Sequence, residues 1–406
     1  MVETRAGVCG GIAFAAALCA SCGGSETSVR HSSEDPPNWR TQERLTIGTV
    51  TGDSVYAFSH ISEIEVDSAG NIYVWDAGLR RVRKYSEDGR FLVQMGGDGG
   101  APHEFSRSPN SGAALPLGGM ALLGDSLVLI HDPWAPKLVF FDTDGDFHHD
   151  VPLHRMVQAA RLLERISRRV HDLGGGFVLL YHQSPFGSRQ HARPWDGQHA
   201  LVRLSVDASS LDTLTTLAQR AVTHRWLNDR RGESFPNPFA REWRWAVSAE
   251  GRIAIGDGSM SAIAIHDRSW NRTTELRRDL PARPVTQADA SSFRASFPHG
   301  SGVDSLPPGI RRLAADVLDE LEIPTTWPFF DRLQYDDAGR LWVRRPPGRG
   351  DVTARWDVFD ESLVHVATAV VPNDMMVMEI AGDRIYSLYR DQLDIHFVRV
   401  HQILNR

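Results

Sequence analysis

Between Ile61 and Met95 the chain alternates apolar and polar positions in four short runs, ISEIEVD, NIYVWD, RRVRKY and RFLVQM, set apart by SAG, AGL and SEDG. Period-two patterning rich in Ile, Val, Tyr and Phe, punctuated by Gly and Asp, predicts four β-strands joined as an antiparallel meander. The same grammar returns from about Gly118 to Val151, Arg168 to Leu217, Trp243 to Leu280 and Phe330 to Val371. A sixth copy begins near Met376 and reaches only three strands, ending in LDIHFVRVHQI. The unpaired run LTIGTV, Leu45 to Val50, stands before the first copy and can supply the missing strand.

These repeats predict an all-β fold, a six-bladed β-propeller of four-stranded antiparallel blades whose last blade is closed by the N-terminal strand. Closure of this kind leaves no long sheet edge exposed. One stretch breaks the two-residue period. In PPGIRRLAADVLDELEIP, Ile310, Leu313, Ala314, Val317, Leu318 and Leu321 fall on one helical face behind Pro308, so residues 281–323 are read as a helical insertion between blades four and five. Met156 to Ile166 is either a further short helix or an irregular entrance to blade three.

Loop lengths then choose a face. Turns between first and second strands, and between third and fourth, stay short. The long connections, Gly96 to Pro116, Leu153 to Ser167, His182 to Gln198, Arg220 to Glu242 and the helical insertion, all fall on the opposite side. Long loops on a rigid scaffold are where binding usually sits, so this side is the expected working surface; the alternative is a face elaborated to cover the pore or to meet a neighbour. The second strands end there with Asp76, His131, Asp132, His182, Asp257, Arg344 and Arg390, and Trp195 in the long loop offers an aromatic platform. These eight are the ligand-face candidates. The plainer reading of the aspartates is that each accepts backbone hydrogen bonds within its own turn.

The amino end has another character. Arg5 precedes an apolar run of small residues from Gly7 to Ala20, too short to span a bilayer, which reads as a removable export signal. Its end, Leu18, Cys19, Ala20, Ser21, Cys22, resembles the lipobox of bacterial lipoproteins, and that resemblance implies lipidation of Cys22 and cleavage before it. With Gly23 next, it also implies an outer-membrane, periplasmic or surface-facing location. The division expected is a signal over residues 1–22, a polar tether over 23–42 and the propeller over 43–406. All three cysteines lie in the leader, so the folded body has neither a disulfide nor a cysteine-bound metal.

Composition adds little. With 41% hydrophobic and 23% charged residues and a net charge of −7, nothing marks the chain for nucleic acid. Gly124 to Leu127 spells GDSL, but in a hairpin rather than after the first strand of an α/β domain. Asp142, Asp144 and Asp146 alternate like a calcium loop, but Phe147 and Leu153 stand where Gly and Glu belong. His148 and His149 are adjacent on a strand and are expected to point to opposite faces. The RGD at 349–351 reads as a solvated loop.

The first copy carries a further resemblance. Asp67, Gly70 with Asn71, Asp76, and the glycine-rich MGGDGGAPHEF resemble the NHL repeat, whose blades end their first and second strands in Asp. NHL-like propellers include enzymes with an ion in the channel, which implies as an alternative a metal-dependent lactonase- or lyase-like enzyme with a divalent metal at the channel mouth. The leading expectation is a monomeric, envelope-anchored binding or scaffolding propeller, held to the membrane by its lipid, whose partner is a protein, peptide or glycan.

Overall fold

Aspartates that bridge their own turns set the strand spacing. Asp67 accepts hydrogen bonds from the amides of Ala69 and Asn71, and Asp267, Asp360 and Asp391 repeat the arrangement two and four residues on. Each side chain replaces a backbone acceptor and so fixes a tight reversal. A residue of the next strand braces two such turns: the Tyr73 hydroxyl donates to Asp67, and the Trp342 indole N–H donates to Asp336.

The computed structural model describes residues 36–105, 118–132, 137–153, 166–183, 198–218, 222–228, 231–237, 239–297, 306–348 and 350–406. The export signal, Cys22, Trp195, Arg349 and the stretch 156–165 lie outside the described residues.

Strands β1 (Asn38–Ile47), β2 (Ile61–Val66), β3 (Ile72–Asp76), β4 (Arg81–Tyr85) and β5 (Phe91–Gly96) open the chain, and β2 to β5 form the first four-stranded antiparallel sheet. A second sheet holds β6 (Gly119–Leu123), β7 (Leu127–Asp132), β8 (Lys137–Asp142) and β9 (Phe147–Pro152). The third is built from β10 (Ile166–Gly174), β11 (Phe177–Gln183), β12 (Gln198–Ser205) and β13 (Leu211–Ala218). After a separate hairpin, β14 (Val222–Asn228) with β15 (Arg231–Pro236), comes a fourth sheet of β16 (Arg244–Val247), β17 (Ile253–Gly256), β18 (Ala262–His266) and β19 (Arg272–Arg277).

Helices α1 (Gln287–Ser296) and α2 (Pro308–Glu320) follow. Next come β20 (Arg332–Tyr335), β21 (Leu341–Arg344), β22 (Thr353–Phe359) and β23 (His365–Pro372), then β24 (Met375–Ala381), β25 (Arg384–Arg390) and β26 (His396–Leu404).

The first strands of these units touch in a closed cycle: β2 meets β6, β6 meets β10, β10 meets β16, β16 meets β20, β20 meets β24, and β24 returns to β2. Buried apolar clusters lie between successive sheets. One joins Trp75 and Val82 to Ile130 and Phe141, and another joins Ile64 and Val74 to Tyr386 and Val398. Sheets packed face to face around a common axis make a β-propeller. Gly119 permits the crowding at that axis, because a Cβ there would lie 2.7 Å from the Val170 nitrogen.

The strand beside β26 differs from the expected Leu45 to Val50. It runs from Asn38 to Ile47, pairing Arg40 with Leu404 and Ile47 with Val398, so the tether expected to reach residue 42 already contains strand. Its outward residues are polar, and only Trp39 and Ile47 are fully buried, which leaves no period to read. The strand ends at Gly48, where a Cβ would clash with the Phe397 ring. Its first residues also pair in parallel with β23, Trp39 opposite Ala369, which fuses the last two four-stranded units into one eight-stranded sheet. There Trp39 packs on Trp342 with ring centroids 5.8 Å apart.

Two further differences concern connections. Residues 220–242, read as a loop, contain the β14–β15 hairpin. Phe235 and Phe239 beside it bury against Phe293 and Phe297 of the α1 region and Ala314 and Val317 of α2, giving this decoration a core of its own. Helix α1 starts on a capping box between Thr286 and Asp289, and α2 starts at Pro308. Second, the rings of His148 and His149 meet, Nδ1 to Nδ1 at 2.6 Å. A bulge at this point of β9 breaks the strict alternation that would have separated them.

Candidate functional site

At one end of the axis the first strands begin, the second strands finish, and the connections from the preceding sheets arrive. A cavity of about 770 Å³ lies there. The starts of β16 and β20 bring Arg244 and Arg332 into it, β10 brings Arg169, and the ends of β21 and β25 bring Arg344 and Arg390. Against these five arginines the lining holds two carboxylates, Asp331 and Asp374. Trp243, Trp245, Leu333, Met375, Met376 and Leu388 supply apolar wall.

The few anions are already engaged. Asp331 takes two hydrogen bonds from Arg344, at 2.7 and 2.8 Å, and Asp374 lies 3.5 Å from the Arg399 guanidinium. Arg244 Nε donates to the Asp331 carbonyl at 2.7 Å. Arg390 has a long contact of 3.5 Å to Asp394. Among the described residues the Arg332 side chain makes no hydrogen bond or ion pair. Burial pushes its guanidinium down to about 9, and the positive charges of Arg169 and Arg344 push the same way. Burial also lowers Arg244, with Glu242 and Asp331 opposing. Groups held this far from their ordinary ionisation mark a site where charge is poised for a partner.

Deeper along the axis the sign reverses. Glu63 of β2 is a buried carboxyl, and Glu65 of β2 and Glu379 of β24 are half-buried ones. Desolvation pushes Glu63 up to about 7, against the pull of Arg169 and Arg332, and pushes Glu379 up to about 8. Glu65 is raised as well, by burial and then by Glu379 and Glu63. Nearby His171 is pushed down to about 3 by burial and Arg169, so it stays neutral.

Of the eight ligand-face candidates, Arg344 and Arg390 line the cavity. Asp76 is fully buried and accepts from the amides of Ser59, His60 and Leu79, while Asp257 accepts from the amide and hydroxyl of Ser259. The Asp257 carboxylate serves its own turn, and that of Asp76 ties its turn to the entry of β2. His131 and Asp132 are buried at the end of β7. His182 is placed within β11, and its side chain, like Trp195, lies outside what is described. In GDSL, Asp125 accepts from the Ser68 amide of the neighbouring sheet and Ser126 donates to the Leu123 carbonyl, so both serve the hairpin. Asp142 holds the amides of Asp144 and Asp146, a turn rather than a calcium loop.

Sequence reasoning missed Arg169, Arg244, Arg332 and Glu63. Their signal is charge within a first strand, as in WRWAV, DRLQY and ISEIEV, where packing alone calls for apolar or small residues. Among the described residues no group of three or more His, Cys, Asp or Glu side chains is placed to hold a metal ion. The divalent metal of the enzymatic alternative therefore finds no ligand set among them.

No family model matches the chain, and no curated protein matches it. Solved structures do. A member of the duf4221 family from Bacteroides vulgatus aligns at 9% identity over 92% of this chain and 100% of that one, with a TM-score of 0.50. Regucalcin from Agrobacterium tumefaciens, a calcium-binding protein, aligns at 13% identity over 91% and 97%, TM-score 0.40, and virginiamycin B lyase from Staphylococcus aureus at 9% over 90% and 99%, TM-score 0.42. At these identities the likeness is one of fold alone: this chain is a β-propeller built from four-stranded antiparallel sheets.

Proposed function

We propose that the protein is an exported, lipid-anchored binding propeller of six blades, the last closed by β1, and that it holds an organic anion in the cavity at the channel mouth. The observation that carries the ligand class is Arg332. A guanidinium crowded among other arginines, with no hydrogen bond or ion pair among the described residues and opposed only by the fields of Asp331 and Glu63, is an expensive arrangement unless an anion arrives to pair with it. The lining has an excess of three positive charges in a chain whose net charge is −7, so the local field opposes the global one.

Size and wall refine the class. A volume of about 770 Å³ lies within the range of about 300–1,000 Å³ typical of small-molecule sites and far exceeds a lone oxyanion. The methionine, leucine and tryptophan surfaces fit a ligand with an apolar or ring body bearing carboxylate, sulfonate or phosphate groups. Of the envelope partners expected from sequence, this selects acidic glycans and acidic peptides, and it adds small organic anions to them.

The anchor rests on the lipobox-like residues ending at Cys22, and the blade count on the closed cycle of first strands. A thermal-unfolding panel tests the ligand class. At constant ionic strength meta-benzenedisulfonate raises the midpoint, while the neutral meta-benzenedisulfonamide of the same shape does not. A hundredfold excess over Kd adds about 2.7 kcal/mol of stability. Equal shifts with both compounds contradict the proposal.

A further inference from the structure

Beneath the arginine cluster, Glu63 is 7% exposed, and its Oε1 is buried without a hydrogen-bond partner among the described residues. It sits on β2, whereas the charges that favour its ionised form, Arg169 and Arg332, sit on β10 and β20 around the axis. The carboxylate is therefore supported by the field of the arginines and not by donated hydrogen bonds at that oxygen.

We infer that Glu63 is the internal counter-ion of the empty arginine cluster, and that an anion entering the mouth takes over this role while Glu63 takes a proton from solvent. The inference rests on the anion-binding reading of the cavity and deepens it. Once a ligand neutralises Arg332 and Arg169, an ionised carboxylate buried behind them loses its support, so the neutral acid becomes the stable form. The elements packed against β2 leave few other candidates for this proton. Strand β6, GMALL, carries no titratable group. On β3, Asp76 is held by three backbone amides, and the Tyr73 hydroxyl is bonded to Asp67. On β25, Arg384 and Arg390 pair with Glu87 and Asp394, and the Tyr386 hydroxyl is raised by burial; Tyr389 lies under the Arg399 guanidinium. His60 and His396, beside Arg390, are both held below the ordinary histidine value by burial. Glu65 on the same strand and Glu379 on β24 are held more protonated still, and His171 and Asp172 of β10 complete the surroundings.

The sign follows from linkage. Binding that raises the pKa of Glu63 takes up protons, so affinity is highest at low pH and falls as pH rises through the pKa of the liganded state. The test is calorimetric titration of meta-benzenedisulfonate, which does not itself titrate near neutrality, into the full protein in two buffers of different ionisation enthalpy. About half a proton is taken up per ligand at pH 7, and affinity is about fivefold to tenfold weaker at pH 8.5 than at pH 6.5. Glu63→Gln, nearly isosteric, abolishes the uptake and the pH dependence while binding persists. Glu379→Gln, which removes a neighbouring carboxyl that is mostly protonated at pH 7, retains the uptake. Wild-type binding with no proton uptake overturns the inference and leaves the anion site standing. Uptake that survives Glu63→Gln, or that vanishes only in Glu379→Gln, also overturns it. Absence of binding at every pH overturns the anion site, and the inference falls with it.

Discussion

Arg344 grips Asp331 with two hydrogen bonds, Nε to Oδ1 at 2.7 Å and Nη2 to Oδ2 at 2.8 Å, and so takes the carboxylate next in sequence to Arg332 away from it. The bidentate geometry fixes both side chains and leaves the neighbouring guanidinium to the cavity. Asp331→Asn removes the charge and frees Arg344. Anion affinity then rises about threefold to tenfold, while the unliganded protein loses about 1.5–3 kcal/mol, the worth of charge-assisted hydrogen bonds. Calorimetry and denaturant unfolding on the same variant check the two opposite signs.

The raised carboxyls make stability depend on pH in a direction opposite to ordinary acid denaturation. Glu63 moves from 4.5 to about 7 on folding, so the native state binds more protons across that window, and stability is full below 4.5 and declines as pH rises to about 7. Replacing the group by Gln removes the decline. Glu63→Gln matches the wild type at pH 4.5 and exceeds it by roughly 3 kcal/mol at pH 8, from about 1.4 kcal/mol per pKa unit. Urea unfolding at both pH values measures the difference.

A second charged group is structural. Asp357, almost fully buried, accepts from Arg278 Nη1 at 2.9 Å and from Arg345 at 2.9 and 2.8 Å, tying the end of the fourth sheet to β22. Asp357→Asn leaves two guanidiniums facing each other, one of them buried, and costs about 3–5 kcal/mol. Anion binding at the channel mouth is unchanged in the surviving folded fraction, which separates this network from the cavity.

Strand β1 carries the closure of the ring. Ile47, 2% exposed, packs with Ile61, Tyr386 and Val398, so Ile47→Asp places a charge between the first and last units. We predict a loss of more than about 4 kcal/mol, as for large core disruptions. Thr46→Asp, one position away on the exposed side of β1, stays within about 0.5 kcal/mol. Comparable losses in both variants count against β1 as the closing strand.

Strand runs and turns were legible because the propeller repeats a local device, an aspartate that binds its own turn between two strands. Asp67 with Asn71 and Asp267 with Asn271 show it in the sequence as in the fold. What escaped reading depends on neighbours distant in sequence. The polar residues of β1 have no period because most of them are exposed on both faces and a bulge between Glu43 and Leu45 shifts the alternation, and Phe235 of the β14–β15 hairpin buries against helices some 60–80 residues away. Of the cavity's arginines, Arg344 and Arg390 were legible in sequence because each ends a second strand on the long-loop side. Arg169, Arg244 and Arg332 escaped because their local signal, a charge within a first strand, does not say whether the side chain faces the axis or solvent. Only their convergence around the axis does that.

The central claim is that the channel-mouth cavity binds an organic anion through Arg332. Calorimetric titration of meta-benzenedisulfonate at pH 6.5 and fixed ionic strength, into wild type and Arg332→Met, tests it most directly. One site per chain in the wild type and an affinity about 10- to 100-fold weaker in the variant is the predicted result, the range expected for a lost charge-assisted contact. Without ligand the variant is the more stable protein, since a half-buried charge crowded by like charges is gone. Equal affinity in both proteins, or no binding to the wild type, contradicts the account.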